Sequence, residues 1–242
     1  MGPVRQRQLI RLLSWLVAFN LVTGVVAIYA NTGSTPAAAS AAQRVSDGHI
    51  GADGPDGSPT TPGSAMRPTT SDGTVVVDDS VDDTNVDGTN EVKPEPRADI
   101  IRARATNRPA SVTLSLQFRQ PVDPKTDSRW SSESTFLAWE IDTNDDGAVD
   151  YEAQFVVADG DYGGTVTKPG DTSEDPLCDA VAGYGPDSGY TLVIESGCLG
   201  DPASFSYRAG MYYDTDPKDP NADVIFDATP NGGFSFPVGR RP

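Results

Sequence analysis

The sequence predicts an all-β fold: an antiparallel β-sandwich preceded by an N-terminal hydrophobic helix and a disordered linker. Three observations predict it. Short runs in the second half alternate apolar and polar residues with a period of two. Clusters of Gly, Pro, Asp and Asn separate those runs and supply turns. No long apolar helical period recurs beyond the first 30 residues. Many short strands over residues 98–242, a length that can bury a real core, are the pattern of a sandwich.

Residues 1–30 open with Arg5, Arg7 and Arg11, followed by an uncharged apolar run from Leu12 to Ala30. This is the pattern of an export signal. Two outcomes stay open. Ala30 and the later "AASAA" offer small residues for cleavage of a signal peptide. The run is also long enough for an anchor, which needs roughly 17–25 residues, although Ser14, Asn20, Thr23 and Gly24 dilute it. In both cases the arginines stay cytoplasmic and the rest is exported. The predicted location is extracytoplasmic, secreted or tethered, with the membrane a partner if the segment is uncleaved.

Residues 31–97 read as an acidic linker rich in Gly, Pro, Ser and Asp. They lack the apolar periodicity needed to offset ordering entropy. Only "TVVVDDSVDD" holds a valine run that suits an edge strand. The folded domain is expected over residues 98–242. "ADIIRARATNRPASVTLSLQF" gives two runs around a turn, with Val112, Leu114, Leu116 and Phe118 on one face of the second. "TFLAWEID" aligns Leu137, Trp139 and Ile141. "YEAQFVV" aligns Tyr151, Ala153, Phe155 and Val157. "YTLVIES", "SFSYRAGMYYD" and "ADVIF" continue the pattern.

Charge and rare residues narrow the function. The chain has 35 acidic and 18 basic residues, a formal charge of -17. That argues against a nucleic-acid partner, since phosphate binding needs clustered Lys and Arg. The single histidine, His49, falls in the linker, so a Ser-His-Asp or Cys-His nucleophile has no imidazole in the domain. Carboxylate chemistry survives as a catalytic option. Glu140 and Glu152 are placed to face each other across a hairpin, although a solvated strand face accounts for them equally well. Cys178 and Cys198, in an exported chain, suit one disulfide; two free thiols are the alternative.

"DTNDDGAVDY" lies between the strands "TFLAWEID" and "YEAQFVV". It reads D-x-N-x-D-G through Asp142, Asn144, Asp146 and Gly147, with Asp150 two residues past Ala148. This resembles the calcium loops of EF-hands and thrombospondin-type repeats. The resemblance implies Ca2+ held by Asp142, Asn144, Asp146, the Ala148 carbonyl and Asp150. Ala153 stands where an EF-hand has its bidentate Glu, which implies weak affinity. A plain Asx turn is the alternative. A second D-x-N-x-D-G comprises Asp83, Asn85, Asp87 and Gly88, and Asp99 follows in "ADI". It resembles the start of calcium-stabilised β-sandwich modules appended to secreted bacterial glycoside hydrolases, in which the early acids and the "DI" aspartate help hold an ion. Asp214, Asp216 and Asp219 make a third acidic loop. From "ADI" to "FDATPNGG" the chain also resembles uncharacterised β-sandwich domains of secreted high-GC bacterial proteins.

The expected function is a non-catalytic, calcium-stabilised surface module that binds or spaces other components, with a cell-surface glycan or protein as partner. A carbohydrate-binding module is the alternative, with Trp130, Trp139, Tyr184, Tyr212 and Tyr213 as stacking candidates. A carboxylate hydrolase is the third reading.

Overall fold

The computed structural model describes residues 69–241 apart from 72, 90, 159, 172–174, 231–232 and 236. The predicted N-terminal helix, and with it the signal or anchor, lies outside the described residues, as does the linker up to 68. Among the described residues no helix is long and apolar enough to cross a membrane.

Among the described residues thirteen strands follow one another, with two short 3-10 turns at Ser128–Ser131 and Ser196–Leu199. They are β1 (Thr69–Ser71), β2 (Thr74–Asp78), β3 (Asn85–Val86), β4 (Ile100–Asn107), β5 (Ser111–Phe118), β6 (Phe136–Asp142) and β7 (Tyr151–Ala158). Then come β8 (Asp161–Thr167), β9 (Cys178–Gly185), β10 (Gly189–Glu195), β11 (Ser204–Asp214), β12 (Val224–Thr229) and β13 (Val238–Gly239). The strands form one antiparallel sheet in the order β1-β2-β4-β5-β10-β9-β8-β7-β6-β11-β12-β3, with β13 on the free part of β11. The sheet curls until β4 lies against β12.

The fold is therefore all-β and antiparallel, as the period-two runs predict. The alternating residues line the inside of the curl. Leu114 and Leu116 of β5, Trp139 of β6, Phe155 of β7, Tyr207 and Met211 of β11 are all fully buried. Trp130, carried by the first 3-10 turn, stacks on Tyr190 at 5.4 Å between ring centroids and meets Phe155 edge-on at 5.7 Å. Cys178 at the start of β9 is bonded to Cys198 in the second 3-10 turn, a closure worth about 3 kcal/mol by loop entropy.

Two parts of the fold differ from the sequence expectation. The boundary at residue 98 is corrected: β2 pairs with β4 from Thr74↔Thr106 to Asp78↔Arg102, and Val75 and Val77 enter the core. Three valines are too few to register as a periodic run, yet a neighbouring strand is enough to order them. The second difference is β8 and β9, which the apolar pattern does not mark. β8 contains Gly163 and Gly164, and a Cβ on Gly164 would sit 2.8 Å from the Ala180 carbonyl oxygen on β9. Close approach of the two backbones demands glycine there, and glycine erases the strand signal.

Candidate metal centre

The chain between β2 and β4 passes Asp79, Asp82 and Asp83, forms β3 on the edge of β12, and returns through Ala98 and Asp99. Asp227 reaches the same place from β12. The alternation of "DVIFDAT" puts Ile225, Asp227 and Thr229 on the inner face, where all three are buried. Asp83, Asp99 and Asp227 each present a carboxylate oxygen within 4.8 Å of the other two. Among the described residues they are the group of acids with this convergence.

Backbone amides hold the group in place. Asp227 Oδ2 accepts from the Ile100 N–H at 2.6 Å, and Oδ1 accepts from the Ala228 N–H at 2.8 Å. The Ile100 amide is turned to this task at a shift of register between β4 and β5, spanning Ile100 and Arg102; such irregularities commonly re-aim groups beside sites. Asp99 Oδ2 accepts from the Asp82 N–H at 2.9 Å, on a turn where Asp82 adopts φ 62°. Asp99 is only 1% exposed, and its other oxygen, Oδ1, is buried without a hydrogen-bond partner. A buried carboxylate oxygen left in that state costs on the order of 1–3 kcal/mol or more.

Among the described residues one arginine stands near Asp99. Arg119 Nη1 lies 3.6 Å from Asp99 Oδ2 but pairs directly with Asp82. Burial pushes the Asp227 carboxyl up to about 8 against its backbone hydrogen bonds, and the charges of Asp79 and Asp83 add to that rise. Asp79 is raised to about 6, again chiefly by burial, with Asp83 and Asp99 adding to it. Two ionised carboxylates at this separation repel by roughly 3–4 kcal/mol at an effective dielectric of 20. A bound cation removes both the repulsion and the bare oxygen. The donors are all hard oxygens, which suit Ca2+ or Mg2+ rather than zinc.

The second sequence motif is thus brought together in part. Asp83 and Asp99 converge. Asn85 donates its side-chain amide to the Asp83 carbonyl at 2.9 Å, and Asp87 lies on the Tyr212 side of β3. Sequence reasoning does not reach Asp227, although an aspartate at a core-facing position of "DVIFDAT" is the available signal.

The hairpin loop between β6 and β7 is organised differently. Asp142 Oδ1 accepts from the Asn144 and Asp145 amides at 3.1 and 2.7 Å, and Oδ2 accepts from Gly147 at 2.8 Å. Asn144 Oδ1 accepts from the Asp146 amide, Asp146 Oδ1 from the Ala148 amide, and Asp150 Oδ2 from Thr143. Asp142, Asp146 and Asp150 do not converge as a group. In the third acidic loop, Asp214, Asp216 and Asp219 likewise accept amides of their own turn.

Glu140 and Glu152 do face each other across β6 and β7. They are not on a solvated face: their exposures are 3% and 8%. Glu140 pairs with Arg208. Glu152 is pushed up to about 8 by burial and by the Glu140 charge. The stacking candidates do not form an exposed row. Trp130, Trp139 and Tyr213 are fully buried, Tyr212 stacks on Phe136 at 4.7 Å, and Tyr184 leans on Tyr190 at 5.1 Å. No family model, curated protein or solved structure matches the chain.

Proposed function

We propose that the protein is a non-catalytic, calcium-stabilised β-sandwich module of the extracytoplasmic space, secreted or membrane-anchored, that binds or spaces surface components. The observation that carries the reading is the Asp83–Asp99–Asp227 group with the bare, buried Oδ1 of Asp99. A carboxylate cluster at a joint between chain segments serves stability. The Arg-flanked apolar N-terminus supports export, and calcium is plentiful outside the cytoplasm. Burial of Trp130, Trp139 and Tyr213 removes three of the five rings from a sugar-stacking role.

Calcium titration by calorimetry, paired with thermal melts, tests this. Calcium at ten times Kd should raise stability by about 1.4 kcal/mol. Magnesium should do less because it requires a tighter octahedral shell. Sodium chloride at matched ionic strength should also do less, which separates binding from simple screening of a chain this acidic. Asp99→Asn should lose the increment, and Asp146→Ala in the hairpin loop should keep it. Loss with Asp146→Ala alone would return the ion to the hairpin. Equal gains from calcium and matched salt would end the calcium reading.

A further inference from the structure

The aspartate group sits on a seam. β4 and β12 lie against each other where the curled sheet meets itself, and they share no backbone ladder. The segment from Asp79 to Arg97 straps across this seam, leaving β2 beside β4 and adding β3 to the edge of β12. It has little apolar anchorage. Among the described residues between Val77 and Ala98, no hydrophobic side chain is buried. Val81 and Val92 are 57% and 58% exposed, and Val86 is only partly covered.

What fastens the strap is polar. The Asp82 amide bonds Asp99, the Asp87 amide bonds the Val224 carbonyl at 2.8 Å, and Lys93 pairs with Asp223 at the surface. Each such tie contributes little net, and the exposed ion pair least. Against these ties stands the acidic root of the strap, Asp83, close to Asp99 just before β4 and to Asp227 on β12.

We infer that a divalent cation held by Asp83, Asp99 and Asp227 is the latch of this strap: it keeps residues 79–97 docked over the seam, and its removal releases them while the rest of the sheet stays folded. This rests on the reading of the group as a calcium site and adds a conformational role to it. The distribution of ligands supplies the reason. Asp227 belongs to the sheet, which fixes its carboxylate through the Ile100 and Ala228 amides, and Asp99 adjoins β4 with its backbone carbonyl accepting from the Arg119 amide at 2.9 Å. Asp83 belongs to the strap. Only the docked state offers all three, so the ion binds that state better and shifts the equilibrium toward it. Asp99 Oδ1, buried and without a hydrogen-bond partner, is an oxygen that this residue of the group has to offer an ion.

Hydrogen exchange on the full chain, with calcium chloride as the probe and chelator at matched ionic strength as reference, reads the latch directly. At ten times the calorimetric Kd the docked-to-released ratio rises about elevenfold. Amides of residues 79–97 should slow by about that factor, while those of 111–118 in β5 stay unchanged. Asp83→Asn should lose both the heat of binding and the protection. Calcium heat without selective protection of 79–97 overturns the latch and leaves the site. Absence of heat and of protection overturns both. Protection that survives Asp83→Asn places the ion elsewhere and also overturns both. Should that variant fail to fold, the exchange series on the unaltered chain decides alone.

Discussion

Glu140 and Glu152 occupy one cross-strand pair, yet their surroundings give them opposite roles. Burial raises the Glu140 carboxyl and Arg208 offsets part of that rise, while Glu152 is raised to about 8 by burial and by the Glu140 charge. With the folded value above the ordinary one of 4.5, the native state holds the proton more tightly than the unfolded chain. Glu152 thus stabilises fully below pH 4.5, and that contribution is lost as pH rises to about 8. Glu152→Gln keeps the shape and removes the titration. The variant should match the parent near pH 4 and exceed it at pH 8 by on the order of 2–4 kcal/mol. Glu140→Gln should instead destabilise by about 1–3 kcal/mol, because it weakens the charge-assisted contact with Arg208. Urea unfolding at both pH values checks the pair; an unchanged pH slope in Glu152→Gln would remove Glu152 from the account. The sequence shows that these two acids face each other. It does not show their burial, because the cover of an outer sheet face comes from distant parts of the chain.

At the scale of elements, strands are legible where side chains alternate and illegible where glycine replaces them. β5, β6, β7 and β11 declare themselves by their core-facing rows. β8 and β9 do not, since their close approach is made through Gly164 and Ala180. That contact makes a test. A Cβ on Gly164 would lie 2.4 Å from Leu192 Cδ1 as well as 2.8 Å from the Ala180 carbonyl oxygen, and backbone cannot yield as a side chain can. Gly164→Ala should cost about 1–3 kcal/mol. Gly183→Ala on β9, where nothing lies within 4 Å, should be neutral or slightly stabilising. Denaturation midpoints of the two variants measure the contrast, and equal midpoints would show that the strands separate to admit a methyl group.

The whole molecule is larger than its periodic part. The aspartate group shows why two of its three members are readable in the sequence and the third is not. Asp83 and Asp99 stand in a recognisable acidic run ahead of a strand, whereas Asp227 joins them only through the curl of the sheet, its carboxylate meeting an amide 127 positions away in the chain. The same curl gives the valines of β2 a core to enter. A chain comprising residues 98–242 alone should therefore be badly weakened. It lacks Val75 and Val77, whose burial is worth about 1.5–3 kcal/mol each, a large share of the roughly 5–15 kcal/mol that holds a domain folded. It also exposes the edge of β4 to other chains, and it has lost Asp83. Residues 69–242 keep all of these. Urea unfolding followed by fluorescence of the buried Trp130 and Trp139 compares the two chains. The longer one should unfold cooperatively, with a midpoint that climbs in calcium. The shorter one should unfold at much lower urea or aggregate, and calcium should not move it. If both chains share one midpoint and one calcium response, the strap and its strands contribute nothing to the fold, and the ion sits among residues 98–242.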